Sequence, residues 1–162
     1  MKLLISRETS DSQSRFLVYD QYEKLLFNVI GKNGTAVRKV KAITPEGNCV
    51  LKISATPEIG KTIGYNILTP QGAFAVTVKL KSDDLSLKIH GVKLFFKGNL
   101  FTRSFEILDV SSKALAFHKP EAGKSGKYVL EVFDDAQHLN LLAISICADL
   151  LSFSDSAHVC RA

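Results

Sequence analysis

The 162-residue chain lacks most of what would announce a reaction. Its three cysteines, Cys49, Cys147 and Cys160, are odd in number and never spaced as CxxC, which argues against a disulfide or zinc framework and for a reducing compartment. No run reaches the roughly 20 apolar residues that a bilayer-spanning helix needs. The opening Met1-Lys2-Leu3-Leu4-Ile5-Ser6-Arg7 carries too short an apolar stretch for the h-region of a signal peptide, so a cytoplasmic location is expected, with peripheral membrane attachment compatible with it. His90, His118, His138 and His158 are scattered, none with a second ligand three or four residues away on a helix, so no metal site is expected. Gly31-Lys32-Asn33-Gly34 and Gly123-Lys124-Ser125-Gly126 hold the residue types of a phosphate loop but neither its spacing nor a following helix. No cofactor is expected.

What the chain does have is one long apolar stretch near its end, Leu139 to Phe153. On a helical wheel at about 100° per residue, His138, Ser145, Asp149 and Ser152 share one narrow sector, and apolar side chains fill most of the rest, with Asn140 interrupting. A helix that is apolar nearly all round belongs inside a core. Burying its leucines, isoleucines and Phe153 contributes on the order of 12 to 24 kcal/mol gross, an upper bound. Asp134 and Gln137 form a capping-box pattern at its start. His138, Ser145 and Asp149 are the residue types of a hydrolase triad, but seven residues of helix advance about 10 Å, whereas a nucleophile and its base must meet within about 3 Å. The polar seam is therefore expected to face the container of the helix, with Asp149 paired or protonated if buried and Arg38 as a candidate partner. Cys49 and Cys147 read as small core hydrophobes.

The container precedes it. From Leu3 to Phe133 short alternating runs rich in Val, Ile, Leu, Phe and Tyr recur between turn residues, giving twelve candidate strands. Turns beginning at Asp20, Thr44, Thr69 and Asp109 mark a repeated strand-turn-strand unit, and in Thr44-Pro45-Glu46-Gly47 and Thr69-Pro70-Gln71-Gly72 the Pro and Gly suit a type I turn. The longer last gap admits one more hairpin, Leu85 to Gly98. Closing such a meander removes exposed edges, and about twelve strands enclose room for a helix. The expected fold is mainly β: a closed twelve-stranded antiparallel barrel around a buried C-terminal helix. Residues 1–153 form one domain with its central helix at 135–153, and 154–162 form a polar tail.

The hairpin repeat, the segment from Ile89 to Ile107 (IHGVKLFFKGNLFTRSFEI) and the closing Leu142 to Leu151 (LAISICADLL) together resemble the LURP-one-related family. The resemblance covers essentially the whole chain and implies the tubby C-terminal-like fold, a twelve-stranded barrel threaded by a hydrophobic helix. Tubby proteins bind phosphoinositide head groups through basic side chains, and phospholipid scramblases are distant relatives. No segment here matches the tubby lipid-binding residues, so none is carried across.

Charge supplies the functional hint. Residues 38 to 100 hold ten Lys/Arg against four acids, leaving eleven against twelve elsewhere, so a basic middle sits on a neutral frame. Strand alternation turns Val40, Ala42, Leu51, Ile53, Phe74, Val76, Val78, Leu87 and Ile89 inward, and Lys39, Lys41, Lys52, Lys79, Lys81 and Lys88 outward. Such lysines often only solubilise and protect strands. As a binding face they would suit an anionic membrane surface or phosphoinositide, each Lys contributing about 1 kcal/mol. Nucleic acid is not expected, since no aromatic side chains interleave with them. The sequence thus describes a non-enzymatic binding or scaffold module, or alternatively a carrier of a small hydrophobic ligand between wall and helix.

Overall fold

The computed structural model describes residues 1–9, 13–32, 39–56, 60, 62–81 and 84–159, and the side chains of all of these but 9, 13–14, 32, 80–81, 84–85 and 151–159. Twelve strands come first: β1 (Lys2–Thr9), β2 (Gln13–Tyr19), β3 (Leu25–Lys32), β4 (Lys39–Ile43), β5 (Cys49–Ala55), β6 (Thr62–Thr69), β7 (Gly72–Lys81), β8 (Asp84–His90), β9 (Phe95–Asn99), β10 (Ser104–Leu108), β11 (Ala114–Pro120) and β12 (Lys127–Val132). A 3-10 turn, Asp135–Gln137, then leads into the helix α1, His138–Val159. The helix therefore runs past Phe153, where the apolar pattern alone would end it.

All twelve strands belong to one antiparallel sheet in the order β8-β7-β6-β5-β4-β3-β2-β1-β12-β11-β10-β9. Pairing of β1 with β12 joins the two ends of the meander, and the sheet curls until β8 and β9 lie side by side. No ladder joins those two among the described residues, so the barrel is nearly closed, with one seam. The expected hairpin from Leu85 to Gly98 is thus not formed. Its turn goes inward instead: Leu94 is buried and Val92 packs against the core, an apolar gain that the flat geometry of a hairpin would forgo.

Three of the four repeated turns share one geometry, whereas at the fourth Thr69 pairs directly with Gly72 in the β6–β7 ladder. At Asp20, Thr44 and Asp109 the first residue accepts a backbone hydrogen bond from the residue three on, and its own N–H donates to the carbonyl four on. The fourth residue is left-handed each time: Glu23 at φ 65°, Gly47 at 92° and Ser112 at 61°. Asp20 and Asp109 each also accept two further backbone N–H groups on Oδ1, which compensates for the absent glycine.

The helix fills the barrel. Asp134 caps its entrance, accepting from the Ala136 N–H at 3.2 Å and from the Gln137 side chain at 3.4 Å. Every side chain from Asn140 to Leu150 is buried. Leu141, Leu142, Ile144 and Ile146 meet Leu3, Ile5, Leu51, Ile53, Ile67 and Leu130 in one core, occupying the space in which a carried ligand would sit. Asn140, the interruption in the apolar stretch, accepts a hydrogen bond from the Thr69 hydroxyl at 2.8 Å. Cys147 lies in this core, as expected. Cys49 does not: it has inward parity but stands at the barrel rim next to the turn, and its exposed thiol donates to the Leu51 carbonyl at 3.6 Å. Cys160 lies outside the described residues.

Candidate functional site

Two places carry polar chemistry, one inside the wall and one outside it. The inner one is where Asp149 comes to rest. Its carboxylate is fully buried, with Oδ2 at 3.4 Å from His118 Nε2 on β11. Arg38, the partner anticipated for it, lies outside the described residues. Arg7 on β1 approaches the same turn, donating from Nη1 to the Asp149 carbonyl at 3.4 Å. Of the rest of the polar seam, the Ser152 side chain lies outside the described residues, and Ser145 and His138 stay apart from Asp149. Ser145 donates to the Leu141 carbonyl at 2.9 Å, and His138 Nδ1 sits 2.8 Å from the Asp135 carbonyl with its ring against Phe27. Among the described residues no nucleophile and base meet there, and His138, Ser145 and Asp149 do not form a triad, as helical spacing requires. Burial, with Asp149 adding to it, pushes the Cys147 thiol up, far above the range in which thiolates form. That thiol is inert.

The outer place is the lysine face. Lys39, Lys41, Lys52, Lys79 and Lys88 are all exposed, and the Lys81 side chain lies outside the described residues. The strands that carry them are contiguous in the sheet, β4 to β8, with β6 in the middle. Yet the lysines fall into two groups. Lys41 stands directly opposite Lys52, with Lys39 two residues along β4 opposite Ser54. Lys79 pairs with Thr62 and Ser86, and Lys88 with Thr77. Along β7, Lys79 is six residues from Ala73, which continues the Lys52 row, a rise of about 20 Å. The β4–β5 group is the compact one, and no single headgroup spans both.

Register sets its character. The outward row reads Arg15, Ile30, Lys41, Lys52, Leu68, Ala73 across six strands. Arg15 is answered by the Asn28 carboxamide oxygen at 3.0 Å and Glu8 at 4.0 Å. Lys41 and Lys52 have no ion pair among the described residues. Like charges directly opposite in a ladder destabilise it. Leu68, 52% exposed, adjoins them as an uncovered apolar side chain. Beside Lys52 opens a cleft of ≈ 630 Å³ between β5 and the end of β8, lined by Ser54, Asn66, Leu68, Ala75 and His90 among others. The His90 ring is held by a 2.8 Å contact from Nε2 to the Thr77 hydroxyl. Sequence reading missed His90 and this cleft because only register brings β5, β6 and the β8 end together. The cluster offers ammonium groups, a hydroxyl, a carboxamide and an imidazole around an apolar floor, suited to an anionic group with hydroxyls.

No helix among the described residues is long and apolar enough to cross a membrane. The comparisons with known proteins agree on the architecture. No curated protein matches this chain. A crystal structure of a protein from Arabidopsis thaliana is similar over 92% of this chain and 91% of its own, with a TM-score of 0.54 at 17% identity, a likeness of fold. The family described as LURP-one-related matches residues 1–149, from β1 to the buried Asp149. With the twelve-stranded wall, its repeated turns and the enclosed helix all in place, the chain belongs to the LURP-one-related family.

Proposed function

We propose that the protein is a binding module, not a catalyst, and that it docks on anionic phospholipid headgroups, phosphoinositides included, through the β4–β5 lysines. The observation that carries this is the direct opposition of Lys41 and Lys52 without an acidic partner among the described residues, beside a largely apolar cleft that Ser54, Asn66 and His90 also line. Such an arrangement weakens the free protein and is relieved when a phosphate sits between the ammonium groups. Leu68 and Ile30 flank the pair on the same row and supply apolar surface at the depth of a headgroup layer. Acting at a membrane surface is consistent with a protein that resides in the cytoplasm.

Vesicle flotation with and without phosphoinositide, at low and high salt, tests the proposal. Wild type is expected to float with anionic vesicles at low salt and to be released at high salt. Lys41→Glu with Lys52→Glu changes the charge of the face by four units at about 1 kcal/mol per unit, so partitioning falls by roughly a thousandfold. Lys79→Glu is expected to have a smaller effect, because that lysine belongs to the distant group. Flotation that ignores salt and survives the double reversal contradicts the reading.

A further inference from the structure

Inside the wall, His118 is clamped on every side. It faces inward on β11, opposite Phe105 of β10 and Leu130 of β12. Its ring lies between those of Phe105, at 4.4 Å and 8°, and Tyr128, at 5.3 Å and 24°. Gly98 makes this possible: it pairs with Phe105, and a Cβ there would stand 2.5 Å from the Phe105 Cα, so a side chain would push Phe105 off the imidazole. His118 Nδ1 lies 2.6 Å from the Arg103 carbonyl. A carbonyl only accepts, so Nδ1 carries a hydrogen. That leaves Nε2 to face Asp149 Oδ2.

No described group donates a hydrogen bond to the carboxylate. Arg7 donates to the Asp149 backbone carbonyl and stacks over Phe16, and Arg103 lies over the Tyr128 ring at 5.2 Å. The Tyr128 hydroxyl is buried, and the neutral Cys147 thiol is two residues away on the same helix. Neither carboxylate oxygen accepts a hydrogen bond from any described group, and His118 Nε2 also has none. With no proton on the axis, a lone pair on Nε2 would face an ionised carboxylate in a site closed to water, an arrangement that burial heavily disfavours. One proton removes the conflict in either of two ways: on Nε2 it makes an imidazolium beside a carboxylate, and on Oδ2 it makes a carboxylic acid donating to a neutral ring.

We propose that His118 and Asp149 hold one proton between them in the folded protein, and that this shared proton latches the terminal helix to the barrel wall. The proton belongs to the pair, whichever atom carries it. Of the three buried polar residues described on the helix, Ser145 bonds its own backbone, so beside the Arg7 hydrogen bond to the Asp149 carbonyl the described side chains of the helix supply two pins: Asn140 to Thr69 on β6, and Asp149 to His118 on β11. Nine residues separate them, about 13 Å along the axis. Two pins on opposite stretches of wall fix the rotation and depth of a helix that is otherwise greasy all round, which apolar packing alone specifies poorly.

Nuclear magnetic resonance of the ring nitrogens and the Asp149 carboxyl carbon of the whole protein near neutral pH decides it. The expected result is His118 protonated on both nitrogens with an ionised Asp149, or on Nδ1 alone with a protonated Asp149. A ring protonated on Nδ1 alone facing an ionised Asp149, or a ring without the Nδ1 hydrogen, overturns the proposal. In Asp149→Asn the amide donates to Nε2, so the ring should carry a hydrogen on Nδ1 alone while the helix stays docked. A variant ring that keeps both hydrogens overturns it as well, and should that variant not fold, the wild-type spectra still decide. Vesicle binding plays no part in these measurements, so the latch and the lysine face stand or fall separately.

Discussion

The two halves of the barrel are built from the same hairpins and spend polarity in opposite places. On the half formed by β9 to β12 and β1, one outward row reads Lys97, Glu106, Phe117, Glu131, Lys2, each charge next to its opposite or separated by an aromatic ring. Behind that balanced exterior lies the buried polar cluster of His118, Tyr128 and Asp149. On the half formed by β4 to β7 the interior is apolar but for Thr69, with Val40, Ala42, Leu51, Ile53, Ile67 and Val76 against the helix, and the exterior of β4 and β5 carries Lys39, Lys41 and Lys52 with no acid opposite them among the described residues, whereas Lys81 at the far end of β7 stands opposite Asp84. One half is balanced outside and polar inside; the other is greasy inside and unbalanced outside. A row that gains nothing from its charges in the free protein points to a partner, whereas a row that neutralises itself points to structure.

The largest expected effects are inside. Asp149→Ala leaves His118 buried without its partner and should lower unfolding free energy by about 3–5 kcal/mol in denaturant titrations. Leu51→Ala, in the apolar half, should lose a similar about 2–5 kcal/mol by opening a cavity. The double change His118→Leu with Asp149→Leu separates the halves, because replacing a whole buried pair with apolar groups should restore most of what Asp149→Ala loses, and no second change does that at Leu51.

Next comes alkali. The folded state keeps the Cys147 thiol neutral while the unfolded chain releases its proton above the ordinary value of 9.0, so this stabilisation is fully present below that pH and declines above it. The slope is about 1.4 kcal/mol per pH unit, and the difference between wild-type and Cys147→Ala unfolding curves should show it. Smaller effects discriminate between the two exteriors. Lys41→Glu should raise unfolding free energy by about 0.2–1 kcal/mol by relieving Lys52, and Glu106→Lys should lower it by a like amount by opposing Lys97. Of like size are the effects at the turns, which both halves share. Glu23→Gly and Ser112→Gly should each stabilise by about 0.5 kcal/mol, the relief of a left-handed side chain less the added freedom of the unfolded chain, while Gly47→Ala should cost about 1 kcal/mol.

Much of this was legible beforehand because it rests on local periodicity. The apolar run from Leu139 announces a core helix, alternation announces the strands, and Asp20, Thr44 and Asp109 announce turns that close in the same way. What could not be read is what depends on register or distant contact. The bulge between Ala42 and Ile43 shifts β4 against β5 so that Lys41 meets Lys52; without it Lys41 would oppose the inward Leu51. Gly91 to Leu94 looks like a hairpin turn, and only the core beneath it explains why Leu94 dives inward and leaves β8 and β9 unpaired. The sequence marks Asp149 as a group in need of a partner, but His118 belongs to a strand far back in the chain, and nothing in its local pattern tells that the two meet.

The central claim is that the β4–β5 lysines are kept for a partner at the expense of the free protein. The most direct measurement takes a single variant, Lys41→Glu, and follows both its unfolding free energy and its flotation with phosphoinositide vesicles at low salt. The account predicts that the two move in opposite directions, the protein gaining stability as it loses the membrane. A variant that gains stability and floats as wild type does would show that the face serves solubility alone and would contradict the account.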